Sequence, residues 1–211
     1  MHSCRACGFW IIRGASICAV LGADLLGLNF AGRPASSSAQ APVEIDDLEG
    51  AAISASTIHE RVLRRDGKER QDKFRLDWSV RFISRETIHA SIVATSYNAR
   101  GTHSKKNEAT VNLARPKETK SRGGGHMLWF FENGVLTFLR TFQGGGMKAS
   151  FAVTRNSAGF TCSANASWPR EVGVQSIMLK SFVDKQPMEI LSEKFVSSSC
   201  QVTLGGQATV Q

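Results

Sequence analysis

The clearest pattern in the chain is an alternation of apolar and polar residues between Phe74 and Phe82. The apolar positions are Phe74, Leu76, Trp78, Val80 and Phe82. Successive side chains of a strand point to opposite faces of a sheet, so this alternation predicts a strand with one face in the core and one in water. Residues 87–95 alternate in the same way and predict the next strand.

These two segments predict a hairpin whose register depends on the length of its loop. We expect a three-residue loop, Ser84-Arg85-Glu86, because a loop one residue longer or shorter would set apolar against polar positions. The pairs that this loop predicts are Phe82–Ile88, Val80–Ala90 and Trp78–Ile92.

A second hairpin is predicted at Asn133-Gly134, between the apolar runs 127–131 and 135–139. Both turn residues tolerate the positive φ of a type I′ turn, and Asn-Gly is therefore a strong hairpin signal. The turn predicts the pairs Phe131–Leu136 and Trp129–Phe138. Because both faces of this hairpin are apolar, we expect it to be buried on both sides, at the centre of a sheet.

A third hairpin is predicted from 148–154 and 159–166, joined by a four-residue loop, 155–158. This loop pairs Phe151 with Cys162 and Val153 with Phe160, which places Cys162 on the inner face. Near the C-terminus, one strand face is predicted to carry Val196, Cys200, Val202 and Leu204. Both cysteines are therefore expected to face the core.

The remaining segments complete a mostly β prediction. A first strand, 53–63, precedes a turn at Asp66-Gly67, and 172–195 fits either one short helix or short strands. Successive antiparallel hairpins predict an up-and-down barrel (calycin-like) or a two-sheet sandwich, with at most one or two short helices. We expect a single β domain over 53–208, a mobile N-terminal segment over 40–52, and a long, mobile, basic loop over 98–125.

The first 39 residues have the organisation of a secretory signal peptide. A basic start is followed by an apolar stretch, 15–31, and then by small residues that permit cleavage after Ala39. Cleavage after Ala41 is disfavoured because Pro42 would follow the bond. An uncleaved membrane anchor is the rival interpretation, although Asp24 would be costly in a bilayer. We predict a periplasmic or secreted protein with no transmembrane span after leader removal.

Cysteine usage agrees with export. Three of the five cysteines lie in the predicted leader, where the pair at positions 4 and 7 lacks a second pair at zinc-ligand spacing. Cys162 and Cys200 remain, and an even count in an oxidising compartment predicts one disulfide bond. A reduced buried pair is the alternative.

The charge of the chain is unevenly distributed. Its formal net charge is +8, and residues 60–125 alone carry 16 Lys or Arg against 8 Asp or Glu. A solvated face is the ordinary explanation, and an anion-binding face is the functional one. The candidate binding residues are Arg61, Arg64, Arg65, Lys73, Arg75 and Arg81. Aromatic residues are not interleaved on this face, which argues against nucleic acid and leaves lipid headgroups or acidic polysaccharide of the cell envelope as partners.

No catalytic or cofactor motif is found. Serine-nucleophile motifs are missing from the sequence, and the histidines His59, His89, His103 and His126 do not pair at metal-ligand spacing. We therefore predict no catalytic residues, no metal and no cofactor. The expected function is binding of an anionic or small apolar ligand, through the basic face or a barrel cavity. A small secreted hydrolase with a dispersed active site is the alternative.

Three segments carry a resemblance. Residues 125–142, Gly159-Phe160-Thr161-Cys162 and Ser197-Ser198-Ser199-Cys200 resemble small exported bacterial proteins of uncharacterised function. The resemblance implies a signal peptide and a cysteine pair. It implies no activity and no site residue.

Overall fold

The computed structural model describes residues 43–99, 101–120, 125–180 and 186–205, and the predicted leader lies outside them. These residues form eleven strands and one four-residue 3-10 helix, Ile45–Leu48, with no α-helix among them. The strands are β1 (Ala52–Arg65), β2 (Lys68–Ser84), β3 (Thr87–Asn98), β4 (Gly101–Asn112), β5 (Thr119–Lys120), β6 (His126–Glu132), β7 (Val135–Phe142), β8 (Gly145–Asn156), β9 (Gly159–Ser167), β10 (Ile177–Lys180) and β11 (Pro187–Thr203).

The strands build two antiparallel sheets. The first has the order β10-β11-β1-β2-β3-β4 and curls into a half-barrel, and the second has the order β5-β6-β7-β8-β9. The predicted mostly β fold of antiparallel hairpins is confirmed. Within the described residues, no helix is both long enough and apolar enough to cross a membrane.

Aromatic side chains join the two sheets at the core. Trp78 of β2 is 2% exposed, and three rings of the second sheet meet it edge-on. Ring centroids lie 6.2 Å away for Trp129, 5.3 Å for Phe138 and 5.3 Å for Phe151. Edge-to-face pairs of this kind add to the burial of large apolar area. The alternating apolar residues of β2 are therefore the inner face of the half-barrel.

The register of the β2–β3 hairpin is confirmed. The three predicted pairs all occur. The loop itself is shorter than predicted, because Ser84 pairs with Thr87 and the chain turns at Arg85-Glu86. A bulge at Ile83 accommodates the odd residue, which keeps the apolar faces aligned while Ile83 itself is 53% exposed.

The β6–β7 hairpin is confirmed in register and turn type. Asn133 and Gly134 have φ angles of 50° and 75°, as a type I′ turn requires. Strand β7 is the central strand of the second sheet. The prediction that this hairpin is buried on both sides is wrong, because the residues Leu128, Phe130 and Leu139 on its reverse face remain partly exposed.

The β8–β9 hairpin differs from its predicted register by two residues. Val153 pairs with Cys162 instead of Phe160, and the chain turns within the tighter segment 156–159. Asn156 supports this turn, since its side-chain oxygen accepts a hydrogen bond from the Ala158 amide at 2.9 Å. A shift of two residues preserves the faces, so Cys162 still points inward.

The described parts of two segments predicted as mobile contain a paired strand and buried core residues. Within 98–125, strand β4 pairs with β3 along its whole length, and its inward residues Ala109 and Val111 give it an apolar side. Within 40–52, Val43 and Leu48 are buried in the core. The low apolar content of β4 is compatible with an edge strand, where polar side chains stay in water.

The C-terminal prediction is correct for Cys200 and wrong for Val196. A bulge in the β1–β11 ladder falls at Val196 and reverses the side on which β11 residues point beyond it. Val196 is therefore 44% exposed, whereas Cys200 packs against the core. The described part of 172–195 contains β10 and β11 and no helix.

Candidate functional site

Arg61 lies inside the protein and does not belong to a solvent-facing patch. It continues the inward phase of β1 and is 4% exposed. Its guanidinium donates two hydrogen bonds to Asp72, at 2.9 and 2.6 Å, and lies 3.8 Å from the centre of the Phe74 ring. The expectation that Arg61 joins the basic face is wrong, because a buried carboxylate and an aromatic ring hold it inward.

Arg64, Arg65 and Arg75 are exposed or half-exposed, but each has an acidic neighbour. Arg64 donates to Glu69 at 2.8 Å and to Glu189 at 3.3 Å, and the hydrogen bond to Glu69 is the main cause that raises the pKa of Arg64. A hydrogen bond to Asp77 at 2.7 Å raises the pKa of Arg75 in the same way. Arg65 lies 3.5 Å from Asp66. Local acids therefore offset most of this charge.

Lys73 and Arg81 point to the outer face of β2 but lie far apart. Eight residues of extended chain separate them by about 26 Å. Arg81 stands beside His89 on β3, and Lys73 stands between Glu60 and Tyr97. The six predicted residues thus do not form one continuous basic patch, and Lys73 is the exposed member that lines a pocket.

The pocket lies across strands β1, β2, β3 and β11 and has a volume of about 430 Å³. Its exposed cross-strand row consists of neighbours in register, in the order Lys194, Glu60, Lys73 and Tyr97. The residues that line it are Glu60, Arg61, Val62, Gln71, Asp72, Lys73, Tyr97, Ser192, Glu193 and Lys194.

The charges of this pocket divide into paired and available groups. Arg61 is bound to Asp72, and Glu193 is bound to the ring of His59. Within the described residues, Lys73 and Lys194 form no ion pair. One carboxylate, Glu60, stands between these two lysines. The groups available to a ligand therefore carry a net positive charge.

A hydrogen-bonded network fixes the floor of the pocket. The Asp72 carboxylate accepts both bonds from Arg61 and a third from the Ser96 hydroxyl at 2.7 Å. All three residues are buried, and a buried charge is tolerated only when it is paired and hydrogen-bonded. The network joins β1, β2 and β3 on their inward side, below the exposed residues Glu60, Lys73 and Tyr97.

His59 and Glu193 form the arrangement closest to an acid–base pair. The Nδ1 atom of His59 pairs with Glu193, and the Nε2 atom has no hydrogen-bond partner among the described residues. The ring meets Phe195 edge-on at 5.6 Å and is 0% exposed. A general base must come within hydrogen-bond reach of its substrate, and this imidazole is closed off from solvent.

The alternation along β1 was the sequence signal for the buried polar residues of this site. Thr57, His59 and Arg61 continue the inward alternation that Ile53 and Ala55 begin in β1. A polar residue at a core position of a strand must find a partner, which marks it for inspection. The partners Asp72 and Glu193 come from other strands, so their identity depends on the register of the sheet.

Cys162 and Cys200 connect the two sheets. They face each other at disulfide distance, with Cα atoms 5.5 Å apart, from β9 and β11. The hydroxyl of Ser198 on β11 also donates to the Ala164 carbonyl on β9, at 2.7 Å. These two contacts between β9 and β11 hold β11, which lines one side of the pocket, against the second sheet.

The other regions offer less as ligand sites. Aromatic side chains fill the space between the sheets, and a smaller pocket of about 290 Å³ lies near Arg85 and Phe131. No group of three or more His, Cys, Asp or Glu in the described ranges is arranged to hold a metal ion. The chain matches no protein-family model, no curated protein and no solved structure.

Proposed function

We propose that this chain is a non-catalytic binding protein that holds a small anionic ligand in the pocket across β1, β2, β3 and β11. The observation that carries the proposal is the pair of lysines, Lys73 and Lys194, which project into one pocket without an ion-pair partner in the described part of the chain. A charge-assisted hydrogen bond to an anion is about twice as strong as a neutral one.

The rigid floor supports the same proposal. Binding is costly when side chains and loops must be ordered, and this cost falls when the site is already formed. Here both lysines stand on long paired strands, and the buried Arg61–Asp72–Ser96 network fixes the strands below Lys73. The site is thus built on regular elements and not on a loop.

We also propose that the protein works in the periplasm or outside the cell, where an anionic envelope component is its partner. The basic, apolar and small-residue order of 1–39 supports export. The pair Cys162 and Cys200 at disulfide distance supports an oxidising compartment.

Calorimetric titration with acetate and galacturonate at low ionic strength tests the binding proposal. The double variant Lys73→Gln/Lys194→Gln should weaken binding of both anions by about tenfold or more, since each charged hydrogen bond is worth about 1.5–3 kcal/mol. Arg81→Gln is the matched control, because it removes a cation from the same strand face outside the pocket. Equal losses in the double variant and the control would refute the proposed site.

A secreted hydrolase is the second candidate, and the His59–Glu193 pair is the observation that favours it. Because the imidazole is 0% exposed, hydrolysis would require β1 and β11 to separate around it. Fluorogenic ester and glycoside substrates should therefore show no turnover above background with the wild type. Turnover that His59→Gln abolishes would favour the hydrolase over the binding protein.

A further inference from the structure

We propose that strand β4 is a docking edge for a second copy of this chain, which pairs with it antiparallel about a two-fold axis at Asn107. This surface lies outside the lining of the ligand pocket, and its role is independent of the ligand. The proposal follows from the unpaired edge of β4, from the pattern of its charges and from the length over which two copies overlap.

The edge of β4 is long and regular. Its 12 residues pair with β3 along their whole length without a bulge, and β3 is the one strand beside them in the described ranges. Every second residue of β4 therefore directs its N–H and C=O groups away from β3. Such a row of unpaired backbone groups is a template on which another strand can pair.

The other edge strands are short or covered within the described residues. Strand β5 has 2 residues and β10 has 4, and Met178 of β10 also forms a bridge with Gln143. Strand β9 faces β11, to which the pair Cys162–Cys200 and the Ser198 hydroxyl connect it. Short or covered edges protect a sheet from pairing with another chain, and β4 differs from the other three edges in this respect.

The charges on the outer face of β4 are self-complementary. Lys106 and Glu108 lie two residues apart on this face, both exposed, and their side chains form an ion pair at 2.6 Å. A two-fold axis at Asn107 sets Lys106 of each copy opposite Glu108 of the other, and opposite charges directly across two strands stabilise their pairing. On the inward side, the same axis sets Lys105 opposite Ala109, so no two lysines lie directly opposite each other.

Charge also selects this register from its neighbours. Two copies that keep their inward faces on the same side can pair with the axis at any one residue of the strand. An axis at Lys105, Lys106 or Glu108 sets that charged residue against its own copy, and like charges directly opposite each other destabilise a sheet. The axis at Asn107 avoids these contacts and aligns all of β4 except Gly101, so charge and overlap favour the same register.

Sedimentation of the folded protein over a range of concentrations tests the proposal. The wild type should form dimers that dissociate on dilution. Glu108→Lys should raise the dissociation constant about tenfold, because like charges then oppose each other at two symmetric positions. Lys106→Glu should raise it by a similar factor, although it lowers the net charge of a basic chain and would strengthen a dimer limited by overall repulsion alone. The exchanged variant Lys106→Glu/Glu108→Lys should restore wild-type dimerisation.

Glu171→Lys is the matched control, since it makes the same change of charge at an exposed position between β9 and β10. It should leave the dissociation constant unchanged, and an unchanged melting temperature shows that each variant is folded. A wild type that stays monomeric at the highest attainable concentration overturns the proposal and leaves the edge to another partner or segment. Equal losses in Glu108→Lys and Glu171→Lys overturn it as well.

Engineered cysteines test the register. Asn107→Cys places two cysteines opposite each other at the axis, where Cα atoms of antiparallel strands lie about 4.5–5.5 Å apart, within the span of a disulfide bond. Oxidation should therefore give a covalent dimer on a non-reducing gel. Thr110→Cys is the matched control, because Thr110 pairs with Ser104 of the other copy and lies about 20 Å along the strand from its own copy. Equal cross-linking of the two variants would contradict an axis at Asn107.

Discussion

At the scale of single residues, the buried ion pair below the pocket has the largest expected energetic effect. Arg61 and Asp72 have side chains that are each 3% exposed, and the Phe74 ring packs on the guanidinium. Removal of one partner leaves the other charge buried without compensation. Because a buried charge must be compensated, side chains from β1 and β3 both donate hydrogen bonds to the Asp72 carboxylate on β2.

The variant Asp72→Asn should lower the free energy of unfolding by about 3–5 kcal/mol, because Arg61 would keep its charge in the core. Urea denaturation measures this loss. Asp77→Asn is the matched control on the same strand, since its pair with Arg75 is exposed and should change stability by less than about 1 kcal/mol. Equal effects of the two variants would contradict the assigned role of Asp72.

Residue-scale prediction from the sequence was correct for the apolar core and wrong for Arg61. Alternation in β2 identified Trp78 and its neighbours because apolar side chains leave water wherever the sheet closes. The same rule assigned Arg61 to the surface. It failed for Arg61 because the compensating Asp72 and Phe74 become visible only when β1 and β2 are aligned.

At the scale of elements, turn chemistry determined how well each hairpin was predicted. Asn133-Gly134 requires positive φ at both positions and leaves one register, which the structure has. The segment 155–158 carries no such requirement. The strands there form a tighter turn, and their register differs from the predicted one by two residues. The exposed edge strand β4 has little apolar periodicity, so its pairing with β3 was not apparent from the sequence.

The turn glycines give a test at this scale. Gly134→Ala should destabilise the protein by about 1–2 kcal/mol from its left-handed backbone alone, and by more because the new Cβ would lie 3.0 Å from the Val153 carbonyl oxygen. Gly67→Ala has a similar φ of +71° with no atom within 4 Å, which isolates the backbone cost. Thermal unfolding of both variants should show the larger loss at Gly134. A larger loss at Gly67 would contradict the close approach at the β6–β7 turn.

At the scale of the whole molecule, the contact between β9 and β11 connects the two sheets. Cys162 and Cys200 lie 38 residues apart in the sequence, and the entropy of closing such a loop corresponds to about 3–4 kcal/mol. The Cys162→Ser/Cys200→Ser variant should lose about this much stability in chemical denaturation. A reducing agent should destabilise the wild type and leave the variant unchanged. If the reducing agent has no effect on the wild type, the two cysteines are not bonded.

At this scale the sequence predicted the fold class correctly but did not predict where the pocket lies. Hairpin order and strand alternation were enough for an antiparallel β protein of the observed kind. The pocket could not be predicted, because Lys194 comes from β11 and reaches Lys73 only through the order β11-β1-β2. A composition-based search for cations therefore found Lys73 and missed its partner.

The most direct test of the central claim is an NMR titration of the folded protein with galacturonate, following backbone amides across the whole molecule. Saturable shifts are expected at Lys73 and Lys194, the two lysines that line the pocket. Arg81, about 26 Å along the strand from Lys73, should not shift. Shifts confined to the second pocket near Arg85 and Phe131, or spread evenly over the exposed arginines, would contradict the claim that Lys73 and Lys194 form the binding site.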